Sequence, residues 1–127
     1  MGKQTKQVIV LCCGGRDFDD TKLVRRVMLV LKKRYSNLLI IHGAARGADT
    51  LYDQEAKRLG IDRQLYPADW NKYKLAAGAI RNQRMLDEGQ PDFVIAFPGG
   101  KGTADMCRRA KKQNVPVKCV RIKKEKK

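Results

Sequence analysis

One histidine, one tryptophan and four cysteines without a C-x-x-C pair leave this chain little from which to build a metal centre. No cluster of His, Asp and Glu offers ligand spacing either, so neither a metal nor a cofactor is expected. No apolar run approaches the ~18 residues a membrane-spanning helix needs. Met1 to Gln7 is polar, so no secretory signal is read there. Aromatic residues make up only 6% of the chain, and none lies in its strongly basic C-terminal end. That end therefore lacks the platform on which single-stranded bases stack. Cys12, Cys13, Cys107 and Cys119 show no zinc-ligand spacing. Cys12 and Cys13 are adjacent, so in a strand they point to opposite faces, and buried, reduced thiols are expected. This cysteine usage suits a reducing cytoplasm.

Positive charge is abundant instead. The 28 Lys and Arg against 13 Asp and Glu give a net +15. From Cys107 to Lys127 there are ten Lys or Arg and one Glu, which is +9 of that total. The last residues, 123–127, read as a solvated basic tail after a single domain over 1–122. Such charge attracts polyanions without choosing among nucleotides, nucleic acid and acidic partners.

Strand and helix signals alternate along the chain. "QVIVLCC", Gln7 to Cys13, is a continuous apolar run that predicts a strand buried on both faces. Asp19, Asp20 and Thr21 offer an N-cap to a helix over about 20–35, whose apolar positions Leu23, Val24, Val27 and Leu31 recur at helical spacing. Further strands are predicted over 38–43, 62–67, 92–97 and 117–122. Helices are predicted over 48–59, 75–88 and 103–113, with Gly60 and Gly89 near two of their C-termini. The alternation implies an α/β fold, a single Rossmann-like three-layer domain. Its five-stranded parallel sheet, with helices on both faces, has the expected order 3-2-1-4-5. Strands one and four are then neighbours where the winding reverses, and ligands bind outside the carboxyl ends of strands at such a switch.

The loops that meet there are glycine-rich. After strand four comes "FPGGKGTADM", with Pro98, Gly99, Gly100, Lys101, Gly102 and Thr103 leading into a helix. Unpaired amides and the helix dipole make such an N-terminus an anion site, and glycine lets a phosphate approach the backbone. Lys101 adds a mobile charge and Thr103 a hydroxyl. After strand one, Gly14 and Gly15 precede Arg16, a phosphate partner, and Asp17, an acceptor for a ribose hydroxyl. After strand two, His42, Gly43, Arg46, Gly47 and Asp49 form another such turn. The loop after strand four is neither a Walker A sequence nor G-x-G-x-x-G, so P-loop ATP hydrolysis is not supported.

"GGRDF", "HGAARGAD", "AIRNQRML" and "FPGGKGTADM", in this order, resemble the SLOG superfamily, and most closely its small YspA-like branch. The resemblance runs from about Val8 to Ile122. It implies a Rossmann-like fold that binds nucleotides or nucleotide-derived, ADP-ribose-like ligands, and association as a homodimer or higher homo-oligomer. The superfamily includes the LOG phosphoribohydrolases, with signature P-G-G-x-G-T-x-x-E and an Arg on the preceding helix. Pro98, Gly99, Gly100, Gly102 and Thr103 match that signature, and Arg81, followed by Asn82, is similar to that Arg. At the place of the Glu stands Met106, with Asp105 one residue earlier. One residue turns a helix by about 100°, so Asp105 does not simply replace the acid.

The residues are compatible with three functions. The first is a nucleotide-binding module, a sensor or sequestering protein. The second is an N-glycosidic hydrolase on nucleoside 5'-monophosphates, with Arg81 gripping phosphate and Asp105 as the catalytic carboxylate. The third is nucleic-acid binding like that of DprA, another member of the superfamily. The binding module is the principal expectation, with a small-molecule nucleotide rather than nucleic acid or membrane as partner, and the residues leave open whether the chain is an enzyme.

Overall fold

The expected first strand is β1, Val8–Cys13, at the centre of the sheet in the computed structural model, which describes residues 6–120. The sheet also contains β2 (Leu38–His42), β3 (Asp62–Leu65), β4 (Phe93–Ala96) and β5 (Val117–Cys119). All pairings are parallel and the order is β3-β2-β1-β4-β5. Helices α1 (Thr21–Arg34), α2 (Ala48–Leu59), α3 (Trp70–Tyr73), α4 (Ala77–Gly89) and α5 (Lys101–Lys112) alternate with the strands. The result is a three-layer, Rossmann-like α/β domain.

The continuous apolar run of β1 follows from burial on both faces. Val10 and Cys12 join the core under α1 and α2, with Met28, Ile40 and Tyr52. Leu11 and Cys13 join the opposite core under α4 and α5, with Ile41, Met85 and Met106. The adjacent cysteines thus lie on opposite faces, as the strand period of two requires. Fully burying a side chain such as Leu11 or Met28 stabilises the fold by about 1.5–3 kcal/mol. The edge strand β3, "DRQL", is exposed along its whole length and accordingly reads as polar. Asp20 caps α1, accepting the Leu23 amide at 3.1 Å.

Boundaries differ from the expectations in two places. The helix expected over 75–88 is preceded by the short α3 and a 3₁₀ turn, Lys74–Ala76. The helix ends at Gly89, as expected, and Gln90 takes the left-handed position after it, with φ 46°. Gly89 lies under β2, where a Cβ would stand 2.5 Å from the Ile41 Cδ1. Finally, α5 begins at Lys101 rather than 103, so Gly102 sits inside its first turn. Arg121–Ile122 and the basic tail lie outside the described residues.

Candidate functional site

The loop after β1 joins the other two glycine turns. The Gly15 amide donates to the Pro98 carbonyl at 2.9 Å, and the Gly15 carbonyl accepts the Ala48 amide at 3.1 Å. Side chains would obstruct both contacts. A Cβ on Gly14 would stand 2.6 Å from that of Ala48, and one on Gly15 would stand 2.9 Å from the Gly99 Cα. Gly47 adopts φ 81° against the carbonyls of Gly15 and Arg16. Gly14, Gly15, Gly47 and Gly99 therefore serve loop-to-loop packing. Gly100 and Gly102 differ: space is open where their Cβ atoms would be.

Both line a cavity of about 870 Å³ at the carboxyl ends of β1, β2 and β4. The cavity collects Gly14, Gly15, Arg16, Asp17, Gly43, Asp49, Arg81, Asn82, Gly100, Lys101, Gly102, Thr103 and Asp105 from the predicted set. A neighbouring hollow of about 380 Å³ shares Arg16, Gly43 and Arg81 and is reached by Arg46. His42, Gly47, Pro98 and Gly99 do not line the cavity. His42 is buried and turned inward: Nδ1 accepts the Ala44 amide at 3.0 Å, which puts the proton on Nε2 to donate to Asp53 Oδ1 at 3.0 Å. His42 thus holds the β2–α2 turn against α2.

At the α5 N-terminus Gly100 provides no side-chain cap, so the first-turn amides have no such partner. Lys101 lies beside them. Arg81 is held by its own chain: Nη1 donates to the Gly43 carbonyl at 2.6 Å and Nε to Asn82 Oδ1 at 3.0 Å. Burial pulls the Arg81 guanidinium down, opposed by the nearby Asp49 charge. Asn82 in turn donates to the Gly102 carbonyl at 3.2 Å and to Asp105 Oδ2 at 3.0 Å, tying α4 to the start of α5.

Besides the exposed Asp17, two carboxylates line the cavity in opposite circumstances. Asp49 Oδ2 accepts the amides of Gly43 and Ala45, both at 3.2 Å, while its buried Oδ1 has no protein partner. Burial pushes its pKa up against the pull of His42, those amides and Arg81. Both oxygens of Asp105 are engaged: Oδ1 accepts from Arg108 at 2.7 Å, and Oδ2 from Arg109 at 2.8 Å and Asn82. Burial alone would raise the Asp105 pKa, but the Arg109 and Asn82 hydrogen bonds outweigh it and hold the carboxyl low. Met106, at the place of the LOG acid, is buried in the core under α5.

Sequence reasoning gave no role to Trp70, Leu75 or Arg108, which also line the cavity. The Arg16 guanidinium stands 5.3 Å from the Trp70 ring centre, a cation–π contact at the cavity wall. A solitary tryptophan in a segment without clear periodicity was the available signal.

An open parallel sheet with a crevice of glycine turns at its winding reversal defines a Rossmann-like α/β protein. The chain belongs to the YspA, cpYpsA-related SLOG family (YAcAr), whose pattern matches residues 8–73. It is also 34% identical over 116 residues to the Gene 61 protein of Mycobacterium phage D29, covering 85% of this chain and 92% of that protein.

Proposed function

We propose that the cavity binds a nucleotide or a nucleotide-derived, ADP-ribose-like ligand, with phosphate at the α5 N-terminus. The observation that carries this reading is the open space at Gly100 and Gly102 beside uncapped helical amides. Own-chain packing accounts for the other loop glycines but not for these two. A phosphate there meets backbone donors, the positive end of the dipole and Lys101. Asp49 Oδ1 supplies a buried acceptor for a ligand hydroxyl such as that of ribose. The Arg16–Trp70 pair offers a flat surface for a base. The volume is within the range of small-molecule sites, roughly 300–1,000 Å³.

Binding is favoured over N-glycosidic cleavage because both Asp105 oxygens already accept donors. A carboxylate so engaged is a poor acid or nucleophile. A sensor or sequestering role follows from binding without turnover. Leu29 and Val30, exposed on α1, support association with a second copy, which native mass spectrometry reads directly. Calorimetric titration with AMP, ADP and ADP-ribose tests the binding proposal: saturable binding of at least one is expected. Heat indistinguishable from dilution for all three would reject it.

A further inference from the structure

Three cysteines meet on one face of the sheet, beginning with Cys13, which also borders the cavity. Cys13 of β1 pairs with Ala96 of β4, and Ala96 pairs with Cys119 of β5. Residues paired across parallel strands present their side chains on the same face. The two cysteines thus flank a small alanine, with rows about 4.8 Å apart. The helix α5 lies over this face, and its Cys107 packs against the core containing Cys13 and Ala96. The helix also packs against β5, which places Cys107 on the side of the sheet that carries Cys13 and Cys119. Access is graded across the group: Cys13 is buried, Cys107 half-buried and Cys119 exposed.

We propose that Cys107 is a peroxide-reactive thiol and Cys119 its resolving partner, so that oxidation closes a disulfide between α5 and β5. Cys13 acts as the proton-holding neighbour. The neighbouring Cys107 thiol, together with burial, pushes the Cys13 thiol well up, so Cys13 keeps its proton. The Cys13 thiol beside it lowers the Cys107 thiol to about 6, against the opposing effect of burial; the Lys111 charge and Cys119 assist. Lys111 is four residues along α5, hence on the same face as Cys107. The thiolate is the reactive form of cysteine.

The chemistry balances in two steps. The Cys107 sulfur attacks a peroxide oxygen; an S–O bond forms, the O–O bond breaks, and water or an alcohol leaves after proton uptake. Sulfur loses two electrons to the peroxide and becomes a sulfenic acid. The Cys119 sulfur then attacks Cys107; the S–S bond forms, the S–O bond breaks, and water departs with the Cys119 proton. The peroxide is the only oxidant consumed.

The test uses the full chain and hydrogen peroxide, with thiols then blocked and peptides mapped without reduction. The expected product is an intramolecular Cys107–Cys119 disulfide, formed faster than free cysteine oxidises under the same conditions. In Cys119→Ser, a dimedone adduct should accumulate at Cys107; in Lys111→Ala, oxidation should slow. A disulfide joining two chains, dimedone at Cys119 in the wild type, or a rate no greater than that of free cysteine would overturn the proposal. The wild-type mapping decides even if a cysteine variant fails to fold.

Discussion

Gly15 and Gly99 meet backbone to backbone. The room a Cβ on Gly15 would need is taken by the Gly99 Cα and the Pro98 carbonyl oxygen, each 2.9 Å away. Backbone cannot rotate aside as a side chain can, so the turns after β1 and β4 would have to part. Gly15→Ala is therefore expected to lose about 1–3 kcal/mol in urea unfolding. Gly102→Ala should behave oppositely. Its Cβ meets open space and it sits inside α5, so stability should rise by about 0.5 kcal/mol. Gly102 also lines the cavity, so nucleotide affinity should fall tenfold or more. Equal effects of the two substitutions on stability would contradict this division of the glycines.

Asp49→Asn should stabilise the protein while weakening the ligand. Burial raises the pKa of Asp49, so its ionised form is disfavoured in the folded state. The sign follows: the favourable contribution is fully present below its unfolded value and is lost as pH rises through its folded one. Asparagine retains an oxygen for the Gly43 and Ala45 amides and removes the buried charge. A gain of about 1 kcal/mol near neutral pH is expected from thermal unfolding, shrinking on acidification. Calorimetry should show weaker nucleotide binding, because an amide NH₂ cannot accept the hydrogen bond that Oδ1 can. A loss of stability at neutral pH would show that the Arg81 attraction outweighs burial.

Gln90→Gly tests the helix terminus. Gln90 is exposed and closes α4 at φ 46°, a conformation that costs a residue with a Cβ about 1–2 kcal/mol. Glycine there should raise the urea midpoint by about 1 kcal/mol of stability with no change in ligand affinity. An unchanged midpoint would mean that the side chain makes an offsetting contact.

Acid should destabilise the fold through three carboxylates held below their ordinary values. Glu55 is lowered by the hydrogen bond from Arg58 and then by Arg25, against burial. For Asp53 burial acts upward, but bonds from His42 and Arg63 prevail, and Asp105 is lowered likewise. Their contribution is fully present above the unfolded carboxylate range, about 4, and is lost as pH falls through the lower folded values. Glu55→Gln should flatten the acid limb of the stability profile. An identical profile in that variant would remove Glu55 from the account.

The alternation of strand and helix was legible because its signals are short-range. The run Val8–Cys13 is apolar throughout since both faces of β1 are covered, and the Asp20 cap and Gly60 turn act on neighbouring residues. From alternation, the handedness of crossovers leads to the strand order and to the three turns at its reversal. The glycine clusters in those turns were equally visible.

What each glycine or polar side chain does there was not. His42 turns to Asp53, Asp105 is tied to three donors, and Gly89 admits Ile41 while Gln90 takes the left-handed bend. Trp70 reaches Arg16 from more than fifty residues away. Periodicity and turn chemistry depend on residues within a few positions of one another, so the chain order alone set the elements and the place where a site would form. The direction of a side chain at that place depends on segments distant in sequence packing together, and only the assembled tertiary structure decided it.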